Sequence, residues 1–425
     1  MNTQRTSARR TVLTSGLEHL RSDAGMALTT VVAMSVILFL LATALLTLAT
    51  GLISATESQT AVTKATHMAD AGLNAYLYEL RRDPTYYVSH DTLEGELEDG
   101  RWVVTAEPPA APGDPLVLHA TGAIPSMGTT NTVTAEVRFP TYAEYIFLSD
   151  ADINIGADAV IYGRIRSNGD IDNKGRVTGR AFAAGSITVS GAGVFDDGFE
   201  ANQPAVDFSQ VTVDMQAMKQ VAQDSGTYYG ASGGSGYYAR LSGTQVVVSR
   251  VTGGTSTGNL TKSQIAILTV PASGVLYFNE DVWVSGTYST KLTIAGARDI
   301  YIDDNLGPQN MSSPHTCGLV AQRSVIVPSW YPNLPNNMTL TAAMLAQTGS
   351  IYGDYHTGVT KNKITINGSM AYSDYGYFAL YSGSTVTAGF KSRSYNYDQR
   401  LEVEPPPMYP RLRDGSLRIN TWFEE

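Results

Sequence analysis

The uncharged stretch from Met26 to Thr56 restricts the fold of this chain more than any other feature. It is longer than the roughly 20 apolar residues that cross a bilayer as an α-helix, so it predicts a membrane-spanning helix. Arginines outnumber acids before it: Arg5, Arg9, Arg10 and Arg21 against Glu18 and Asp23. This positive excess predicts a cytoplasmic N-terminus and an exported remainder.

The helix is expected to continue to Arg82. Residues 57–82 contain no proline, and apolar or small side chains recur there at three- and four-residue steps, as on one face of a helix. Pro84 follows the predicted end. We therefore predict one helix over residues 26–82, about 85 Å long, whose first half, residues 26–56, spans the membrane.

Small side chains recur in the second half of this helix and permit close approach by another backbone. They are Ala61, Ala65, Ala69 and Gly72. We expect them to pack against neighbouring helices in a filament or against the protein's own body. A plain single-span anchor with a stalk is the alternative.

Two short motifs carry a resemblance to a known family. The hexapeptide from Asp23 to Leu28, DAGMAL, followed by the apolar stretch, resembles the cleavage region of type IV prepilins. The segment Met68–Asn74, MADAGLN, resembles the A-x-x-A-G-L stretch of PilX-type minor pilins. The resemblance covers residues 20–82 and implies a leader over residues 1–25 that a prepilin peptidase removes between Gly25 and Met26. A secretory signal peptide fits less well, because the apolar stretch is too long and continues as an amphipathic helix.

Thr30 departs from the pattern of most major pilins. The family usually has Glu at the fifth mature position, which is Thr30 when counted from Met26. Tip-located pseudopilins and some PilX-like proteins also lack this carboxylate. The resemblance therefore implies a subunit at or near a filament tip, or one that primes assembly.

The rest of the chain is expected to be rich in β-structure, which makes the fold class α+β. A pair of Asp or Ser followed by Ile or Val opens a short strand seven times: at 152–153, 170–171, 186–187, 281–282, 299–300, 324–325 and 350–351. Short strands at such spacings are typical of a right-handed β-helix, or solenoid, in which stacked rungs bury a continuous core. A β-sandwich with regularly spaced strands is the alternative.

The same pattern divides the chain into segments. We predict a small β region over 83–142, a first solenoid part over 143–195, an insertion over 196–275, a second solenoid part over 276–390 and an extended C-terminal strap over 391–425. Within the insertion, residues 211–222 are predicted to be helical, and the Gly/Ser/Tyr loop over 227–238 is either a binding surface or a flap. Four alanines, Ala295, Ala321, Ala346 and Ala371, are expected to lie where the coil bends inward.

The sequence also resembles, loosely over residues 145–415, β-solenoid bodies attached to pilin-like N-termini, and bactofilins. This resemblance implies a surface or assembly role and supplies no catalytic residue.

The composition and the motifs argue against nucleic-acid binding, disulfide bonding and most kinds of catalytic site. The net charge of −10 disfavours a phosphate-backbone partner, and Cys317, as the sole cysteine, excludes an intrachain disulfide. The histidines are scattered, and no nucleotide-binding or hydrolase motif stands out. Acidic pairs occur at 150/152, 170/172, 196/197 and 303/304. They read as turn residues, or as a Ca²⁺ or polysaccharide-cleaving site if stacked on one face. We predict no catalytic residue, no metal and no cofactor.

These features together predict a minor pilin or pseudopilin-like structural subunit with its body at the cell surface. Its expected partners are other pilins, a prepilin peptidase, an inner-membrane assembly platform, the membrane and a surface ligand. One alternative is a permanently tethered surface adhesin or scaffold. The other is a carbohydrate-active β-helix enzyme.

Overall fold

A computed structural model describes residues 10–109, 114–413 and 417–424, with side chains from Leu28 onward except that of Asn420. Its first element is helix α1, Arg10–Arg82. The end matches the prediction. Arg81 and Arg82 lie in the last turn, where their positive charges interact favourably with the negative end of the helix dipole. The start lies upstream of Met26, so the helix continues through the Gly25–Met26 bond.

An antiparallel five-stranded sheet packs against the second half of α1. It has the strand order β1-β2-β3-β4-β31, and a short helix, α2 (Tyr86–Ser89), precedes it. The strands are β1 Thr92–Leu97, β2 Gly100–Glu107, β3 Leu116–Ile124, β4 Thr129–Arg138 and β31 Arg418–Glu424. We call α1 from Ala61 onward together with this sheet the small unit.

The last strand of the small unit comes from the far end of the chain. Strand β31 pairs antiparallel with β4, with Trp422 opposite Ala135. The predicted strap over 391–425 is therefore not simply an extended cover, because its end completes this sheet. Everything between β4 and β31 is inserted into the small unit.

The inserted part is a β-sheet-rich body whose strands pair mainly in parallel, which we call the parallel-strand body. Its first segment contains β5 Phe147–Ser149, β6 Ile153–Ile155, β7 Val160–Tyr162, β8 Ile165–Ser167, β9 Ile171–Asn173, β10 Arg176–Val177, β11 Ala181–Ala183, β12 Ile187–Val189, β13 Val194–Phe195 and β14 Phe199–Glu200. Helix α3, Val211–Asp224, follows and coincides with the helix expected over 211–222.

The second segment continues from α3. It contains β15 Tyr228–Tyr229, β16 Gly236–Gly243, β17 Gln245–Gly253, β18 Thr261–Thr269, β19 Val275–Phe278, β20 Val282–Tyr288, β21 Leu292–Gly296, β22 Ile300–Pro308, β23 Cys317–Ala321, β24 Val325–Pro328, β25 Asn337–Ala346, β26 Ile351–Asp354, β27 Thr360–Tyr372, β28 Gly376–Tyr377, β29 Ala379–Ser382, β30 Thr385–Tyr397 and the short helix α4 Arg400–Val403. Strand β16 pairs in parallel with β20. The predicted insertion over 196–275 is thus partly built into the ladder.

The repeat found in the sequence is confirmed by the strand register. Ile153, Ile171 and Ile187 are aligned across β6, β9 and β12. The second segment aligns Val282, Ile300, Val325 and Ile351 in the same way. The turn residue before each apolar member therefore recurs at the same position of successive rungs.

Hydrogen bonds explain why these turns use Asp and Ser. Asp152 Oδ1 accepts the backbone N–H of Asp170 at 2.8 Å, and Asp170 Oδ1 accepts that of Ser186 at 2.7 Å. In the second segment, Asp299 Oδ1 accepts the N–H of Ser324 at 3.0 Å. Each side chain satisfies a turn donor of the next rung, as Asx-type turns do within a loop.

The two segments stack in the reverse of their chain order. Strand β27, late in the second segment, pairs in parallel with β5, and β30 pairs with β7. The chain therefore enters the stack in its middle, runs to one end at β14, and resumes at the opposite end with β15. Residues 201–227, which include α3, make the return connection.

Two apolar clusters form the core of the body. One contains inward side chains such as Ile294, Leu319, Met344 and Met370, and the other lies between the outer sheet face and α3. Because residues alternate between faces of a strand, a one-residue difference in register changes the side on which a residue lies.

The predicted placement of the four alanines needs a correction for this reason. Ala295 is aligned with Val320, then Leu345, then Ala371, and this row packs in the cluster with α3. Ala321 and Ala346 are aligned one residue later and lie in the inner cluster. The alanines therefore do not form one row.

Candidate functional site: helix α1 and its junction with the body

The first half of α1 is a bare apolar rod. Side chains from Leu28 to Thr60 are all exposed, and this part of the helix is long and apolar enough to cross a membrane. This part of α1 is a candidate membrane anchor by length and composition. Several of its hydroxyl groups donate to a carbonyl oxygen of the preceding turn, as Ser35 Oγ does to Val31 at 2.7 Å and Thr47 Oγ1 to Ala44 at 2.8 Å.

Three predicted site residues lie at the start of this rod. Thr30 is exposed in it. Gly25 and Met26 belong to the backbone of α1, but their side-chain surroundings lie outside the described residues, as do residues 1–9 of the predicted leader.

The second half of α1 is covered by the protein's own sheet. Ala61, Ala65 and Ala69 are buried, and a Cβ at Gly72 would lie 2.8 Å from the Trp102 ring. A Cβ at Gly122 of β3 would collide with the Ala65 carbonyl oxygen.

These contacts change the interpretation of the small-residue stripe. We expected Ala61, Ala65, Ala69 and Gly72 to pack in a filament or against the body, and in this chain they pack on or beside the small sheet. The small-residue face of the second half is therefore covered, whereas the first half remains exposed on all sides for neighbouring helices. Strand β3 and its Gly122 were not predicted, although the alternation in LVLHATGAI could have indicated the strand.

Four charged side chains join the small unit to the parallel-strand body. Arg164 Nη2 lies 3.2 Å from Glu144 Oε2 and 2.6 Å from Glu402 Oε1. Arg418 of β31 contacts the same two carboxylates. Burial raises the pKa of the Glu144 carboxyl, and the guanidinium groups of Arg418 and Arg164 oppose that rise.

We call this set the junction cluster. No local sequence signal indicated it, because its members come from four separate parts of the chain. It ties β31, which completes the small sheet, to the 3₁₀ turn Tyr142–Glu144 at the entrance of the body.

The acidic pairs singled out in the sequence have structural partners. Asp150 accepts from the Asn168 amide, Asp172 lies 3.3 Å from Lys174 Nζ, Asp196 pairs with Arg176 at 2.8 Å, and Asp303 accepts the Tyr238 hydroxyl at 3.0 Å. Burial raises the pKa of Asp303 to about 6. Within the described residues, no group of three or more His, Cys, Asp or Glu side chains is placed to hold a metal ion.

Cys317 lies in β23 and is fully buried. Burial raises the pKa of its thiol, which leaves it protonated and packed as a small apolar side chain.

Two of the weak likenesses to solved structures are a pilin and an ice-binding protein. The competence-associated pilin ComZ from Thermus thermophilus aligns with a TM-score of 0.33 and 14% identity, covering 86% of this chain and 98% of ComZ. An ice-binding protein from the Antarctic ascomycete Antarctomyces psychrotrophicus aligns with a TM-score of 0.26 and 10% identity, covering 60% of this chain and 96% of that protein. No family model and no curated protein matches. Likenesses at this level do not establish a family.

Proposed function

We propose that this chain is a pilin-like structural subunit, a minor pilin or pseudopilin of a type IV pilus-like filament or of a secretion or DNA-uptake apparatus. One observation carries the proposal. A single continuous helix, α1, has a wholly exposed apolar first half and a second half packed on its own antiparallel sheet. Such a helix presents a rod for assembly and holds a folded head at its end.

The exposed half of α1 requires an apolar environment. Its large side chains are more than half exposed, for example Leu38, Phe39 and Leu40 at 60%, 69% and 60%. A contiguous apolar surface of this size is stable in lipid or among other helices, and unstable in water. We propose that lipid covers it before assembly and neighbouring pilin helices cover it in the filament.

Processing at the N-terminus is the second part of the proposal. A prepilin peptidase would cut between Gly25 and Met26, and Met26 would then be N-methylated. A glycine suits this position because a protease must approach the backbone closely. Thr30 in place of a carboxylate supports a location near the filament tip. The assembly platform of the inner membrane would extract the mature rod.

The parallel-strand body would be displayed on the cell surface. We propose that its ladders wind as a right-handed β-solenoid, the hand that parallel crossover connections adopt in nearly all cases. We assign it no catalysis, since the acids predicted as alternatives serve as turn and ion-pair partners.

The mature N-terminus tests this function. The full chain would be expressed with and without a prepilin peptidase, and its intact mass measured. Loss of residues 1–25 and gain of one methyl group are expected only with the peptidase. Gly25→Val should block the cut, whereas Gly16→Val, a matched change inside the leader, should leave it unaltered.

An uncut chain in both strains would contradict the proposal. It would favour a permanently tethered surface adhesin or scaffold, with which the continuity of α1 through the Gly25–Met26 bond is compatible. Cleavage at another bond would favour a secretory signal peptide.

A further inference from the structure

A cleft of about 590 Å³ opens in the parallel-strand body where its two segments meet. It lies between β28, in the second segment, and β6, an edge strand of the three-stranded sheet β12-β9-β6 in the first segment. This volume falls within the range of pockets that hold small ligands.

The cleft exists because one face of the stack is interrupted. The adjoining rungs pair at two other places, through β27 with β5 and β30 with β7. Within the described residues, β28 pairs with β26 and β6 with β9, and β6, β9 and β12 form a separate three-stranded sheet. The facing edges of β28 and β6 are therefore not paired with each other, and residues of both strands line the cleft.

One wall of the cleft is made of tyrosines. The rings of Tyr375 and Tyr377 stack at 4.7 Å with an interplanar angle of 28°, and Tyr352 lies 5.8 Å from Tyr377. Tyr375 and Tyr381 remain 40% and 52% exposed. The ring of Tyr355 also lies beside that of Tyr377, with ring centroids 5.8 Å apart.

The remaining lining is polar. Asn154 of β6 is exposed on the opposite wall, near Asp152 and Asp158. Arg393 lies at the tyrosine side, where its guanidinium contacts the Tyr381 hydroxyl and ring. The cleft thus combines aromatic rings, amide and carboxylate acceptors, and one cationic donor.

We propose that this cleft binds a short, uncharged oligosaccharide. A pyranose ring has an apolar face of C–H groups and a rim of hydroxyl groups. The exposed tyrosine rings can stack on the apolar face of the sugar, since aromatic rings bury a large apolar area with a defined geometry. The sugar hydroxyl groups can form hydrogen bonds with the polar side chains of the lining, which are Asp152, Asn154, Asp158 and Arg393.

Other occupants fit the cleft less well. An extended peptide added as a strand needs a sheet edge several residues long, whereas β28 has two residues and β6 has three. A nucleic acid or a uronic acid polymer would meet two carboxylates against one guanidinium in the lining, in a chain of net charge −10.

The test uses the purified full chain in a detergent without a sugar headgroup. Cellotetraose, maltotetraose, mannotetraose and chitotetraose would be titrated by calorimetry, with saturation-transfer NMR to detect weak binding. At least one is expected to bind, and tetragalacturonate is expected to bind more weakly. Tyr377→Ala should weaken binding about tenfold or more, because it removes one stacking ring.

Two further variants separate loss of the site from loss of the fold. Asn154→Trp fills the cleft from the opposite wall without removing a tyrosine and should also abolish binding. Tyr78→Ala removes an exposed tyrosine of α1 and should leave binding unchanged. Thermal unfolding followed by circular dichroism identifies any variant that fails to fold.

Three outcomes would overturn the proposal. They are no binding of any neutral tetrasaccharide at about 10 mM, binding that survives both Tyr377→Ala and Asn154→Trp, and cleft-dependent binding of an extended peptide library in place of the sugars. None of these outcomes depends on how the N-terminus is processed. The experiment on the mature N-terminus therefore tests the pilin-like function independently of sugar binding.

Discussion

The small unit and the parallel-strand body reach stability in different ways. The small unit takes its parts from both ends of the chain: α1 and β1–β4 come before the body, and β31 comes after it. The body builds its two clusters almost entirely from residues between β4 and β31. The comparison indicates that the body is a self-sufficient insertion, whereas the small unit is complete only when both chain ends meet.

The two regions also differ in what makes their packing specific. In the small unit, glycines let backbones and rings approach closely, as Gly72 does against Trp102 and Gly122 against Ala65. In the body, side chains of turn residues link one rung to the next, as Asp299 does with Ser324.

Two tryptophans lie in each region, Trp102 and Trp422 in the small unit and Trp283 and Trp330 in the body. Fluorine NMR of the 5-fluorotryptophan-labelled protein can therefore follow each region separately.

The largest effect is expected from removing the last strand. A chain ending at residue 413 lacks β31 and Arg418, so β4 becomes an unpaired edge and Glu144 loses one cation. Trp102 should shift to its unfolded resonance at a denaturant concentration at which Trp283 and Trp330 remain native. Simultaneous loss of all three native signals would show that the body depends on the small unit.

A glycine substitution in the small unit should have the next largest effect. Gly122→Ala places a Cβ against the Ala65 carbonyl oxygen, which neither backbone can avoid without moving. The free energy of unfolding of the small unit should fall by about 3 kcal/mol, the upper end for overpacking. The urea midpoint of the Trp102 signal measures it.

Gly51→Ala on the exposed half of α1 is the matched control. A Cβ there meets no atom within 4 Å. The Trp102 midpoint should be unchanged in this variant. Equal effects of the two substitutions would contradict the tight contact between α1 and β3.

Replacing a turn residue of the body should have a smaller effect. This effect should destabilise the body and leave the small unit unchanged. Asp299→Ala removes the acceptor of the Ser324 N–H and the partner of Arg323, at a site only 5% exposed. We expect a loss of about 1–3 kcal/mol, the cost of leaving a buried donor unsatisfied. The Trp283 midpoint should fall while that of Trp102 stays constant, and Asp197→Ala, at an exposed turn, should change neither.

The last expected effect is confined to part of the pH range. Burial raises the pKa of Asp303 to about 6, above its ordinary value of about 3.9 in an unfolded chain. Between these values the folded protein binds more protons, so this group lowers the free energy of unfolding as the pH rises from about 4 to 6, and the loss persists above.

Asp303→Asn removes that titration and keeps an oxygen that can accept the Tyr238 hydroxyl. The variant should be more stable than the parent by up to about 3 kcal/mol at pH 8, the free energy that a pKa difference of about two units represents, and nearly equal to it near pH 4. Urea midpoints of the Trp283 signal at pH 4, 6 and 8 check this. A constant difference across the three values would show that Asp303 does not titrate in this range.

Much of the local structure was predictable from residue pattern. The end of α1 at Arg82, the helix α3 and the recurrence of Asp or Ser before Ile or Val all follow from periodicity and turn chemistry. Strand β3 and the junction cluster were not predicted. Four charged residues far apart in sequence give no local pattern, and their contact depends on how the whole chain folds.

The residues alone were therefore sufficient for the apolar rod and for the repeating turns, because helix periodicity and side chain-to-backbone hydrogen bonds act over a few neighbouring positions. The folded molecule was needed to place the later segment before the earlier one in the stack, to separate Ala295 from Ala321 by one step of register, and to return β31 to the first sheet. Each of these depends on which strand edges meet, and many pairings between distant strands satisfy the same local pattern. The tyrosine-lined cleft has the same origin, since it lies where two distant segments adjoin without pairing on one face.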